Sequence, residues 1–233
     1  VSMYFLCIRW KLHAQASIIA AITFAYSTFF LTKFPHLSRI ESASLLPLIM
    51  IFFDRLLEKP TLKRAALCAV VIAQQIYVGH FQMMFISALI LGAYALYHIW
   101  KNRRSTLLLY VGCMGLIVCL LSAIQLLPSA EFIQLTQRGA GFSPQQSLLY
   151  SFPWKNLATL INPFIFGSPH NGSYPLENFF DGNIFWENTL YISIPGIFLV
   201  AVGIITMKTK RKDIRFFLTF LCLIGISMMT GKY

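Results

Sequence analysis

Apolar residues fall into long runs divided by short polar gaps. Val1 to Trp10 is about half a span and leads to Arg9, Lys11 and His13, as the tail of a helix reaching the cytoplasm. Ala14 to Leu31 is a full run, followed by a polar stretch from Thr32 to Ser42. Ala43 to Phe53 ends at Asp54-Arg55 and is short unless it begins near Ile40. Leu62 to Val78 rises to a tight turn at Gly79-His80-Phe81-Gln82, Met83 to Trp100 descends to Lys101 and Arg104, and Thr106 to Leu127 crosses back to Pro128. Leu190 to Met207 and Phe216 to Met229 follow, divided by the gap from Lys208 to Arg215. Runs of this length predict an all-α fold, a polytopic helical membrane protein of about eight transmembrane segments with the first and last cut short.

Between Pro128 and the span near Leu190 the pattern changes. Residues 129–188 carry few charges and are punctuated by Pro144, Pro153, Pro163, Gly167, Pro169, Gly172, Pro175 and Gly182. No single helix spans such a segment. It is expected to form a folded extracytoplasmic loop or re-entrant cap resting on the membrane, within one transmembrane domain covering residues 1–233. The half-run at the start, the absence of an initial Met and the short final run make a fragment of a longer chain the expectation.

Composition reinforces this picture: 57% of residues are apolar and only 12% charged, against about 45–50% and 25% in soluble domains. A net charge of +11 suggests nucleic acid only until its distribution is considered. The gaps at 9–13, 55–64, 101–104 and 208–215 hold 14 of the 19 basic residues. They are every second gap, as the positive-inside rule requires of cytoplasmic loops. Nucleic acid is therefore excluded as a partner, membrane lipids are implied, and the 129–188 loop is assigned to the outside. Cys7, Cys68, Cys113, Cys119 and Cys222 all lie inside apolar runs, as small core or lipid-facing residues and not disulfides or metal ligands.

The gaps assigned to the outside carry five of the eight acids, Glu41, Glu131, Glu177, Asp181 and Glu187, together with His36, His80 and His170. A carboxylate at the membrane edge can act as a base or hold a divalent metal for a lipid-linked substrate; solvated loop charge is the plainer account of each. His36 and Glu41 can meet across a loop or a first helical turn. His80 and Gln82 sit at a turn that Gly79 permits, where they can contact a phosphate or sugar hydroxyl, or merely anchor at the interface. Gln74, Gln75 and Gln125 lie within spans, where helix-to-helix bonding is the favoured account. Asp54, beside Arg55, reads as boundary charge. Trp186 and Glu187 close the long loop, an aromatic beside an acid as sugar sites use, although interfacial anchoring alone accounts for the Trp. Asn171-Gly-Ser173 fits the glycosylation sequon.

Several stretches in succession resemble the YfhO-like bacterial membrane proteins: His36-Leu-Ser-Arg-Ile-Glu-Ser-Ala-Ser-Leu-Leu-Pro47, Gly79-His-Phe-Gln82, Gln125-Leu-Leu-Pro-Ser-Ala-Glu131 leading to Arg138, Asn162-Pro-Phe-Ile-Phe-Gly167, and Trp186-Glu-Asn-Thr-Leu-Tyr191 through Pro195-Gly196. Their order and spacing fit from about residue 3 to residue 207. That family is similar to the GT-C glycosyltransferases, which take a sugar from a polyprenyl-phosphate carrier on the outer face of the bacterial cytoplasmic membrane. The resemblance implies a polyprenyl-phosphate-linked sugar and a cell-envelope acceptor as partners, with no cofactor beyond the option of a divalent metal. It implies an essential carboxylate in a first outer loop upstream of Val1. It also implies substrate-binding roles for His36, Glu41, His80, Gln82, Glu131, Arg138, Trp186 and Glu187. In it, Arg138 and His80 neutralise the leaving phosphate, and Glu41 and His36 orient acceptor or metal. Phe81 departs from the family's usual Pro, which bears on the turn geometry.

Two other classes fit a polytopic chain. A transporter or lipid flippase predicts broken helices at the midplane and internal repeats, neither of which is visible. A non-catalytic envelope assembly protein predicts that alanine at Glu41, Arg138 or His80 leaves function intact.

Overall fold

The computed structural model describes residues 1–136, 141, 143, 148, 151–174, 184–206 and 212–231, apart from the side chains of 204, 206 and 212–216. Helices and turns make up these residues, with no strand among them. In chain order the helices are α1 (Ser2–Arg9), α2 (Ala14–Ala25), α3 (Thr28–Thr32), α4 (Leu37–Glu58), α5 (Leu62–Tyr77), α6 (Phe81–Asn102), α7 (Thr106–Gln134), a 3-10 helix (Trp154–Leu160), α8 (Phe185–Asn188), α9 (Ile194–Thr206) and α10 (Lys212–Met229). They form two compact units, one of Val1–Ile22 and Pro35–Ala140, the other of Thr23–Phe34 and Gly141–Tyr233.

In the first unit α4 is central, packing on α1, α5 and α6, while α5 also packs on α7. Where α4 packs on α5, Ile49, Phe53 and Leu56 of α4 and the small side chains Ala65, Cys68 and Ala69 of α5 are all buried. Small residues let helix backbones approach closely where no hydrophobic effect drives association. The α4–α5 connection is fixed by side chains. Thr61 caps α5 by accepting from Arg64 N at 3.3 Å, and the Arg64 guanidinium donates to the Arg55 and Lys59 carbonyls at 2.6 and 3.3 Å. Those carbonyls close α4, where Arg55 O also accepts from Lys59 N at 3.3 Å and the last carbonyls lack the full set of intrahelical donors. At its other end α5 stops at Gly79, whose φ of +79° is the left-handed conformation anticipated for the turn.

Several boundaries differ from the apolar runs. α4 starts at Leu37 and continues for 22 residues through Pro47, and α7 runs for 29 residues through Pro128 to Gln134. Ending a helix in apolar surroundings would expose four carbonyls, whereas a proline removes one bond. The expected loop therefore begins as helix, with Glu131 on α7. Conversely, the run from Ala14 breaks at Ser27, which is extended at φ −63° and ψ 153°. α9 has only 13 residues, about 20 Å of rise against a hydrocarbon core of about 30 Å. Among the described residues, three stretches are both long and apolar enough to cross a membrane: Ala14–Thr32, Phe81–Asn102 and Thr106–Gln134.

The second unit is stitched by hydrogen bonds. Phe152 N donates to Met229 O at 2.8 Å, at the end of α10. Leu190 N donates to Thr159 Oγ1 at 2.9 Å. Thr28 Oγ1 donates to Tyr191 O at 2.7 Å and accepts from Tyr191 N at 3.1 Å. The Phe164 and Phe185 rings stack with centroids 5.9 Å apart, and Tyr174 meets Phe185 edge-on at 5.4 Å. Burial raises the Tyr174 phenol above its usual pKa.

Candidate functional site

Two helices of the first unit begin beside one another at histidines. His36 is the N-cap residue of α4, without a side-chain cap bond; His80 is the N-cap residue of α6, and its Nδ1 faces Met83 N at 3.3 Å. Arg39, in the first turn of α4, donates from Nε to His80 Nε2 at 3.1 Å. A neutral imidazole has one unprotonated nitrogen, so Arg39 and Met83 compete for it. Either tautomer therefore accepts one of the two bonds, from Arg39 at Nε2 or from Met83 at Nδ1. Neither helix has an acid in its first turn. A helix N-terminus carries roughly half a positive charge, so placing Arg39 there costs about 0.3–1 kcal/mol. Two such termini, a guanidinium and an imidazole make a corner whose field favours an anion.

The other expected site residues are distributed less tightly. Glu41 is exposed on α4, and His36 is exposed at its cap. Among the described residues no hydrogen bond or ion pair joins them, because five positions along a helix do not face one another. Gln82 is exposed in the first turn of α6, and Glu131 is exposed near the end of α7. Arg138, Glu177 and Asp181 lie outside the described residues. His170 is exposed in the second unit, where its N–H donates to Ser168 Oγ at 3.2 Å. No cluster of three or more His, Cys, Asp or Glu that could hold a metal occurs among the described residues. The five cysteines are free.

In the second unit Glu187 accepts from Lys33 Nζ at 2.6 Å. Lys33 is 4% exposed. Burying an ammonium is expensive without a counter-charge, and Glu187, held on the short helix α8, supplies it. Trp186 is half-buried beside this pair. Thr28, five residues before Lys33, fixes the chain just after α8 through Tyr191.

A third cluster was not legible as such in the sequence. Arg9 at the end of α1 pairs with Asp54 at 2.5 Å and Glu58 at 2.7 Å, and Tyr94 of α6 donates to the other Asp54 oxygen at 2.8 Å. Tyr94 also meets His98 edge-on at 4.6 Å. Asp54 is buried, so it is the hub of an ion-pair network and not a solvated boundary charge. Burial opposes the Arg9 charge, but the hydrogen bond to Glu58 and the field of Asp54 outweigh it and raise its pKa above the ordinary arginine value. The acids' four-residue spacing on α4 was the available signal. Arg9, Asp54, Glu58 and Tyr94 gather toward the opposite ends of α4 and α6 from Arg39 and His80.

Gln75 confirms the expected helix-to-helix role. Its amide, 1% exposed, donates to Ser42 O on α4 at 2.7 Å and to Ser87 Oγ on α6 at 2.9 Å.

Compared with known protein families, the chain matches the model described as bacterial membrane protein YfhO over residues 1–231. No curated protein and no solved structure matches it.

Proposed function

The chain belongs to the YfhO family of bacterial membrane proteins, and from that premise we propose that it is a GT-C-like glycosyltransferase, moving a sugar from a polyprenyl-phosphate carrier to a cell-envelope acceptor on the outer face. The observation that carries the reading is the corner where Arg39 of α4 bonds His80 of α6. A sugar leaving a phosphate needs the developing negative charge stabilised in place. A guanidinium, an imidazole and two helix N-termini suit that charge at the depth where a carrier's phosphate lies. His36, Glu41 and Gln82, close by in the chain, face the acceptor or the sugar hydroxyls. The family resemblance assigns the carrier to Glu131, on α7, and to Arg138, which follows it in the sequence. Within the second unit, and apart from that corner, Trp186 and the Glu187 carboxylate held by Lys33 are a ring and an acid of the kind a sugar-binding site uses.

The experiment is reconstitution of the protein in vesicles with a labelled sugar on a polyprenyl phosphate and an envelope extract as acceptor. Label in the acceptor, reduced by Arg39→Ala and His80→Ala with normal membrane insertion, is the expected result. No transfer from any such donor sinks the reading.

A further inference from the structure

We propose that residues 154–166 dock on the outer leaflet of the bilayer, a lipid surface, through Trp154, Ile161, Phe164, Ile165 and Phe166. The inference is separate from the transferase reading and shares with it only the assignment of sides.

The polarity of this segment is inverted. Asn156 and Thr159 of the 3-10 helix point inward and are buried at 3% and 2% exposure, while Trp154 is 50% and Ile161 68% exposed. The inward polar groups are used: Thr159 Oγ1 donates to Asn156 O at 2.6 Å and accepts from Leu190 N. Phe164, Ile165 and Phe166 continue the exposed apolar stretch. In water such an arrangement loses the free energy of burying those side chains, about 1.5–3 kcal/mol each. Against lipid it loses nothing.

Its position supports lipid over a soluble occupant. Phe152 N bonds Met229 O at the end of α10, and Leu190, just before α9, bonds Thr159. The segment is thereby clamped to the ends of two apolar helices that the basic-residue pattern assigns to the outside. That is the level of the headgroups, where Trp and amphipathic cations collect. Lys155 extends its ammonium over the Phe166 ring, 6.0 Å from its centre, as a lysine does when its stem lies along apolar surface and its head reaches the interface.

The test compares the protein with its W154F variant in nanodiscs, so that the difference spectrum isolates Trp154. Expected are a blue-shifted emission, loss of most of it when the nanodisc lipids carry bromine on the acyl chains near the headgroup, and little loss with iodide in the buffer. A red-shifted emission quenched by iodide and untouched by bromolipid overturns the proposal. So does a response to soluble oligosaccharide without bromolipid quenching, which would make the face a carbohydrate platform. Hydroxyl-radical labelling gives a second readout on the unaltered protein. Trp154 and Phe164 protected in nanodiscs, with exposed His170 labelled, supports docking; equal labelling of all three overturns it.

Discussion

Arg39 and His80, 41 residues apart, meet at 3.1 Å where α4 and α6 begin. The bond brings a guanidinium into the first turn of one helix and against the cap of another, a placement whose field favours an anion. Arg39→Ala should lower affinity for a polyprenyl phosphate by roughly 10–100-fold, the loss of one charged hydrogen bond of about 1.5–3 kcal/mol. Arg39→Lys keeps the charge but not the Nε geometry and should recover only part of it. Equilibrium binding of a labelled carrier to the reconstituted protein checks both, and equal affinity for the alanine and parent proteins removes Arg39 from the site.

At the opposite ends of the same helices, the Arg9–Asp54–Tyr94 network is structural in its expected effect. Asp54→Ala takes from Arg9 its buried partner and leaves it only the more exposed Glu58, which should cost up to about 3–5 kcal/mol. The double variant Arg9→Met with Asp54→Ala should recover much of that loss, because it removes both charges. Glu58→Gln, whose side chain is 57% exposed, should change stability by less than about 1 kcal/mol. Unfolding of the purified protein in mixed micelles ranks the three, and a Glu58 effect as large as that of Asp54 would refute the assignment of Asp54 as the hub.

These two clusters mark what the sequence could and could not disclose. Apolar runs and basic gaps were sufficient for helices of alternating direction, and Gly79 and Gln75 were legible because a turn and an amide in hydrocarbon each admit few solutions. Asp54 was obscured by its neighbour Arg55, which made it look like edge charge, while the partners that bury it, Arg9 and Tyr94, lie on helices distant in the sequence. Pro128 suggested a helix end but lies within α7, as Pro47 lies within α4; the expense of exposing backbone in apolar surroundings outweighs one missing hydrogen bond. His36 and Glu41 looked close in sequence, yet the early start of α4 turns them apart. Lys33 and Glu187 were separate loop charges until the fold brought α3 to α8.

Gln75 makes a quantitative case for polar joining within the first unit. Gln75→Leu removes donors to both Ser42 O and Ser87 Oγ, at an expected cost of about 1–2 kcal/mol. A double-mutant cycle with Ser87→Ala should give a coupling of about 0.6–1.7 kcal/mol. Zero coupling would mean that the amide acts through packing alone.

Two glycines with positive φ separate backbone strain from steric clash. At Gly79, φ is +79° and an added Cβ meets nothing within 4 Å, so Gly79→Ala bears only the left-handed penalty, about 1–2 kcal/mol. Gly79→Asn should cost less, since a short polar side chain tolerates that region. At Gly167, φ is +103° and a Cβ would run into the Ser173 carbonyl as well. That carbonyl is backbone in a turn held by Ser173 Oγ accepting from Ser168 N at 2.9 Å and by Asn171 Oδ1 accepting from Ser173 N at 3.1 Å, so it cannot withdraw without breaking those bonds. Gly167→Ala should therefore destabilise more than Gly79→Ala. Unfolding of the two variants side by side decides it: the reverse order would show that the turn near Ser173 yields more readily than its hydrogen bonds imply.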